Sequence, residues 1–174
     1  MSAGPVIVAL GANLGEPGRQ LLSAMDRLDS LGAGPVRRSS LWETTPVDCP
    51  PGSPRFANAV VVFPPTQAEL PATLLAKLQA IEREFGRQAK RIHNESRPLD
   101  LDLIAWGDAV LNRPDLILPH PRAHEREFVL RPLAEVVPNF VFPGRTHSVS
   151  ELLAALKPDP QFRRLPQQSM SRVQ

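Results

Sequence analysis

Two aspartates stand two residues apart inside the run Ser96-Arg97-Pro98-Leu99-Asp100-Leu101-Asp102-Leu103-Ile104. The alternation of acid and leucine reads as a strand, in which successive side chains point to opposite faces. Asp100 and Asp102 then share one face, while Leu99, Leu101 and Leu103 share the other. On such a strand the Cβ atoms of the two aspartates lie roughly 6–7 Å apart. That spacing lets two carboxylates hold a hard divalent cation, or a pair of them, together with phosphate oxygens. Arg97 adds a planar donor fork beside the pair. A bare D-x-D also fits a solvated edge strand. Against that reading, like charges on one face repel unless a cation or a basic cluster lies between them, and basic residues gather nearby.

Three charged clusters surround this segment in sequence. Glu82 falls on the last turn of a helical stretch, just off its apolar face. A basic loop carries Arg87, Lys90, Arg91 and Arg97, and a third cluster lies in Leu118-Pro119-His120-Pro121-Arg122-Ala123-His124-Glu125-Arg126-Glu127-Phe128. Cations around paired carboxylates point to a polyphosphate bridged to metal, because Arg–phosphate contacts are strong and directional. Taken alone, the loop also reads as a solvated charged segment. His120 reads either as a turn histidine between prolines or as a phosphate or base contact. His124 has no supporting pattern and is assigned to the surface. The sequence has neither an H-E-x-x-H helix nor a G-x-x-x-x-G-K-[ST] loop, and Gly11-Ala12-Asn13-Leu14-Gly15 is too weak for a dinucleotide fingerprint. ATP, if it binds, is held without a P-loop. Phe56 and Asn58 share a strand face, and with Phe128 they could sandwich and read a flat heterocycle. Either phenylalanine could instead be core. An amide inside an apolar strand must find partners.

These groups need a scaffold. At 174 residues, 42% apolar, 22% charged and net charge +2, the chain reads as one soluble globular domain over 1–160, with a loosely held tail over 161–174. That balance argues against a nucleic-acid-coating or disordered protein. Cys49 is the sole cysteine, which excludes an intramolecular disulfide and a thiolate metal site and suits a reducing cytoplasm. No apolar run is long enough to span a bilayer or to serve as a signal core. The 20 prolines, about twice the usual ~5% share, cluster at 46–54, 64–71, 114–121 and from Pro158 onward, as stiff loops between elements.

The apolar run 6–10, ended by Gly11, reads as a buried strand. Leu21, Leu22, Met25 and Leu28 mark a helix from about Pro17 to Ser30, and Val36–Thr44 a second strand. A third strand spans Phe56 to Phe63. Leu70, Leu74, Leu78, Ile81 and Phe85 trace a second helix closed by Gly86, and a polar loop, 87–96, leads to a fourth strand at Leu99–Trp106. The order β-α-β-β-α-β predicts an α+β, ferredoxin-like antiparallel sheet with both helices on one face and the other face free for a site. A strand pair near 109–118, a helix near 126–137 and a last helix opened by Ser148-Val149-Ser150-Glu151, a capping box, follow.

Together the motifs resemble the 6-hydroxymethyl-7,8-dihydropterin pyrophosphokinase family. They are Gly11–Gly15, Phe56-Ala57-Asn58-Ala59, Glu82-Arg83-Glu84-Phe85-Gly86-Arg87, Arg97-Pro98-Leu99-Asp100-Leu101-Asp102-Leu103, Leu118-Pro119-His120-Pro121-Arg122 and Arg126-Glu127-Phe128-Val129-Leu130-Arg131-Pro132-Leu133. The resemblance spans about residues 5–143, and its most specific parts are R-x-L-D-L-D-L and P-H-P-R. It implies transfer of pyrophosphate from ATP to the pterin hydroxymethyl group, with release of AMP. Asp100 and Asp102 would bind two Mg²⁺, and Arg87, Arg97, Asp100 and Asp102 would be catalytic. Glu82, Arg87, Lys90, Arg97, Leu103, His120 and Arg126 would line the ATP site; Thr44, Val47, Phe56, Asn58 and Phe128 would line the pterin site. The partners implied are small molecules, with no nucleic acid and no membrane, acting on a monomer. Asn94 stands where many members have tryptophan, and Ala89 where many have a basic residue. The loops 46–55 and 87–96 are expected to close over substrates. Two other readings use parts of the same pattern. A metal-dependent nucleotidyltransferase would release pyrophosphate instead of AMP, and a nucleic-acid module would need exposed aromatics and a stronger basic excess.

Overall fold

In chain order the elements are β1 (Val6–Ala12), α1 (Pro17–Leu28), β2 (Arg37–Arg38), β3 (Trp42–Thr44), β4 (Phe56–Phe63), α2 (Pro71–Glu84), β5 (Asp100–Trp106), β6 (Leu111–Arg113), β7 (Leu116–Leu118), a 3-10 turn (Ala123–Glu125), α3 (Glu127–Val136), α4 (Val149–Ala155) and β8 (Arg163–Arg164). The computed structural model describes residues 4–45, 49–86 and 98–166. One antiparallel sheet runs β5-β1-β4-β3-β8, with β2 also paired to β4, and β6-β7 form a separate hairpin. The four strands of the expected β-α-β-β-α-β core thus lie side by side in the order fourth, first, third, second, as a ferredoxin-like sheet requires.

Period-two burial along β1 divides the interior into two layers. Val6, Val8, Leu10 and Ala12 face α1 and α2, packing with Leu21, Ala24, Met25, Leu28, Leu74, Leu78 and Ile81. Those helical residues recur at three- and four-residue steps, which sets one apolar stripe against the sheet. Ile7 and Ala9 face the opposite way, with Val60, Val62, Ile104 and Ala105, onto Val129, Leu130, Leu133, Phe142 and Val149. Pro17 and Pro71 start their helices in the first turn, where no amide hydrogen is needed. The capping box expected at Ser148 is present: Glu151 N donates to Ser148 Oγ at 3.3 Å, and Ser148 N to Glu151 Oε2 at 2.7 Å.

Four expectations are corrected. The second face of the sheet is not free: α3 and α4 cover the half made of Ile7, Val60, Val62 and Ile104, because those apolar side chains must leave water. The first strand does not stop at Gly11; β1 continues to Ala12, with Gly11 opposite both Asp100 and Asn58. The strand expected over Val36–Thr44 is broken into β2 and β3. Between them Ser39 Oγ accepts the Val60 amide at 2.8 Å, a side chain standing in for a ladder carbonyl. The tail over 161–174, expected as loosely held, is paired to the sheet as far as the described residues go, to 166. There Arg163 and Arg164 pair with Glu43 and Trp42, and Leu165 N donates to Leu41 O at 2.8 Å. Residues 167–174 lie outside the described residues.

Candidate active site

The site lies on the uncovered half of the second sheet face. Because β5, β1, β4 and β3 are in register, Asp100, Gly11, Asn58 and Trp42 form one row across four strands. The next row toward the α3 side is Asp102, Ala9 and Val60. Side chains at paired positions share a face, so the two acids and the Asn58 amide look out on the same surface. With strands ~4.8 Å apart, about 10 Å separates the acidic end from the amide end.

Asp100 and Asp102 are half-buried on the edge strand β5. The edge amide between them is held from α2: Leu101 N donates to Glu82 Oε1 at 2.8 Å, and Glu82 is only 6% exposed. Glu82, read from sequence as lining the ATP site, therefore fixes the backbone that carries both acids. Leu103 is on the opposite face from the acids and is buried in the α1/α2 core. Its side chain is packing; its main-chain groups, two residues on from those of Leu101, turn outward at the sheet edge.

The third charged cluster is drawn to the same end. His120 N donates to Ile104 O at 2.8 Å, and this bond ties the Pro119–Pro121 segment to β5. Arg122 N donates to His120 Nδ1 at 3.2 Å, which assigns the ring proton to Nε2. Burial pushes the His120 pKa down, and the cations Arg126 and Arg122 push the same way, with Asp100 opposing them. The imidazole is thus a neutral donor at the acidic end of the row. Arg126 is partly buried, which lowers its pKa, and the charges of Arg122, Asp102, Glu125 and Asp100 all reach it. An arginine so perturbed still remains a cation. Its Cζ lies 5.4 Å from the centroid of Phe128, a cation–π contact that couples the cluster to the aromatic end.

At the other end Asn58 Nδ2 donates to Thr44 Oγ1 at 2.8 Å, both groups being buried. Thr44 pairs with Phe56, so the hydroxyl, the amide and the ring stand on one face. Gly11 makes room for this arrangement: a Cβ there would lie 3.3 Å from Asn58 Oδ1 and 4.0 Å from Phe56 Cδ1. The glycine was read from sequence as the end of the strand and as part of the Gly11–Gly15 motif. The available signal was a glycine within a β-rich run, which marks close approach of another group. Asn13, buried at the end of β1, donates from Nδ2 to Pro54 O at 3.3 Å and ties the following turn to the 49–55 segment. His124, assigned to the surface, contacts Arg145 Nη2 through Nε2 at 2.8 Å.

Of the residues expected at the site, Asp100, Asp102, His120 and Arg126 come together, as do Thr44, Phe56 and Asn58, with Phe128 joined through Arg126. Arg87, Lys90, Arg97 and Val47, with Ala89 and Asn94, lie outside the described residues, and so does much of the two loops expected to close.

Among the described residues no three His, Cys, Asp or Glu side chains cluster to hold a metal. Two carboxylates on one strand nevertheless fit Mg²⁺, which keeps waters and is commonly bound by one or two carboxylates plus substrate phosphates. No helix of the described residues is long and apolar enough to cross a membrane.

The fold is an α+β, ferredoxin-like sheet with paired strand carboxylates at one edge and an arginine and a histidine beside them. The chain belongs to the 7,8-dihydro-6-hydroxymethylpterin-pyrophosphokinase family, whose model matches residues 7–138. A 2-amino-4-hydroxy-6-hydroxymethyldihydropteridine pyrophosphokinase of Pseudomonas aeruginosa is 40% identical over 151 residues, covering 86% of this chain and 90% of that protein. The enzyme of the same name from Haemophilus influenzae is 36% identical over 148 residues, covering 84% and 89%. Among solved structures, Plasmodium falciparum HPPK-DHPS with pteroate superposes with a TM-score of 0.67 at 14% identity, over 87% of this chain and 42% of that one. That likeness is one of fold.

Proposed function

We propose that this chain moves pyrophosphate from ATP to the hydroxymethyl oxygen of 6-hydroxymethyl-7,8-dihydropterin, releasing AMP. The observation that carries the reading is the single row Asp100–Gly11–Asn58, with acids at one end and a tethered amide at the other. Asn58, its amide nitrogen engaged by Thr44, turns its oxygen to the pterin edge, and Phe56 and Phe128 hold the ring faces. His120 Nε2–H and the Arg126 guanidinium bond the phosphate oxygens. Arg87, Lys90 and Arg97 add positive charge to the ATP phosphates, and the main chain at Leu103 meets the nucleotide.

Asp100 and Asp102 would hold two Mg²⁺, and these would supply charge neutralisation on the triphosphate. The pterin hydroxyl attacks the β-phosphorus in line. A new O–P bond forms, the α–β bridge breaks with its electron pair leaving on AMP, and Asp102 helps remove the hydroxyl proton, either by taking it directly or through the metal it would hold, which lowers the hydroxyl pKa and passes the proton to solvent. Positioning and electrostatics carry most of such a reaction. We further propose that the protein acts as a monomer in a reducing cytoplasm, which size-exclusion with light scattering tests for the first point.

The direct test incubates the protein with ATP, Mg²⁺ and the pterin and identifies the nucleotide released. AMP formed only in the presence of pterin supports the reading. Pyrophosphate in place of AMP, or untouched ATP, refutes it.

A further inference from the structure

Residues 159–165 lie beyond the part of the chain that the family model matches, yet they contact the sheet beside the site at several points. Asp159 Oδ2 accepts the Thr45 hydroxyl at 2.9 Å, and Asp159 N donates to Glu127 Oε2 at 2.9 Å. Arg55 Nη1 donates to Gln161 Oε1 at 3.0 Å, and Arg55 Nη2 to Gln161 O at 2.8 Å. Asp159 Oδ1 accepts the Gln161 amide at 2.9 Å, which makes the two contact sets one unit. The strap is fastened further along by Phe162, whose ring lies 5.4 Å from that of Trp42, and by Arg131, whose Cζ lies 5.1 Å from Phe162.

The residues so gripped are Thr45, Arg55 and Glu127. Each is the chain neighbour of a residue assigned above to the pterin: Thr44, Phe56 and Phe128. We propose that this strap, through Asp159 and Gln161, is the positioning element of the pterin subsite, holding in mutual register three backbone segments that are distant in sequence. The inference rests on the functional reading just given.

A strap whose purpose was only to cover the edge of β3 would need no more than the β8 pairing at Arg163 and Arg164. Asp159 and Gln161 precede that pairing. They reach instead to both ends of the 45–55 segment and to the first turn of α3. Asp159 is a positioning residue; it acts through Thr45 and Glu127.

The experiment measures pterin binding by equilibrium fluorescence, KM for pterin and for ATP, and thermal midpoint, in the full chain carrying Asp159→Ala, Asp159→Asn or Thr45→Val. Asp159→Ala removes the bonds to the Thr45 hydroxyl and to the Gln161 amide and should weaken pterin binding by about 5- to 30-fold, the loss expected for one to two net hydrogen bonds, with KM for ATP within twofold of the parent. Asp159→Asn should recover most of it, since an amide bonds a hydroxyl through either end. Thr45→Val removes only the Oδ2 bond and should weaken pterin binding about fivefold, with the double variant no weaker than Asp159→Ala. If Asp159→Ala does not fold, Thr45→Val alone decides. A lowered thermal midpoint with pterin binding unchanged, or equal weakening of pterin and ATP, overturns the proposal. A parent protein that binds no pterin refutes the functional reading itself, and it does so before any variant is compared.

Discussion

Gly11→Ala should separate stability from activity, because the position is backbone-tolerant yet sterically tied to the site. Gly11 sits in a regular strand between two partners, so alanine adopts its backbone without strain. Loss of glycine's extra freedom in the unfolded chain contributes ~0.4–1 kcal/mol of stability, or about 1–4 °C for a chain of this size, which offsets part of the cost of the new contact with Asn58 and keeps the thermal midpoint near the parent's. The added methyl would lie 3.3 Å from Asn58 Oδ1 and 4.0 Å from Phe56 Cδ1. Asn58 must therefore give by a few tenths of an ångström, but it is held by the 2.8 Å bond to Thr44. Displacing a buried amide from its ligand costs about 1–3 kcal/mol, so pterin affinity should fall by roughly 5- to 150-fold. KM for ATP should hold within twofold, since the acids one strand away do not meet the methyl. Thermal melts and steady-state kinetics with each substrate varied in turn give all three numbers. If the alanine variant binds pterin as the parent does, Asn58 is not the group that reads the heterocycle.

Asp102→Ala should cut turnover by ~100- to 1000-fold or more, the scale of losing a main electrostatic group at a reacting centre. The thermal midpoint should not fall, since one of two like charges is removed, and chelation of Mg²⁺ in the parent should reproduce the loss of AMP release. Glu82→Ala leaves the buried Leu101 amide without its acceptor and should cost about 1–3 kcal/mol in a denaturant titration, while Glu82→Gln, which keeps an oxygen there, should cost far less. For His120 the folded pKa lies below its ordinary 6.5. The unfolded chain then binds the proton more readily, so the stability His120 contributes is full above about pH 6.5 and is lost as pH falls through the lowered value. Melts from pH 5 to 8 should show this slope in the parent, and His120→Asn should flatten it.

The acidic strand was legible because alternation with leucine fixes which side chains share a face, whatever the strand packs against. The order of the core elements and the Ser148 cap were legible for the same reason: each is a local pattern with a local cause. What escaped is what depends on partners far along the chain. Gly11 looked like a strand end because no short-range signal shows that Asn58, 47 positions on, would press against it. The strap escaped most completely. A two-residue strand has no periodicity, and its partners at Trp42 and Glu43 are about 120 residues away.

The helices that cover the second sheet face explain why the site is where it is. Along β1, β4 and β5 that face changes character within one strand length: Ile7, Val60, Val62 and Ile104 lie under α3 and α4, whereas Gly11, Asn58 and Asp100 lie past them. The boundary is the row Asp102–Ala9–Val60, where an acid, a small residue and a core valine stand side by side. A carboxylate one row deeper would be desolvated against Leu130 and Leu133, a cost that no substrate contact would repay. One row further out stands Asp100, past the helices and beside Gly11 and Asn58, so the two acids straddle the edge of the apolar half. Asp102 thus stands at the margin of the core, and the turn carrying His120 is hung from Ile104, two residues further along the same strand. Packing of α3 therefore sets the position of Arg126 and Phe128 relative to both acids. By this argument the apolar half of the face is what holds the two ends of the reaction in register.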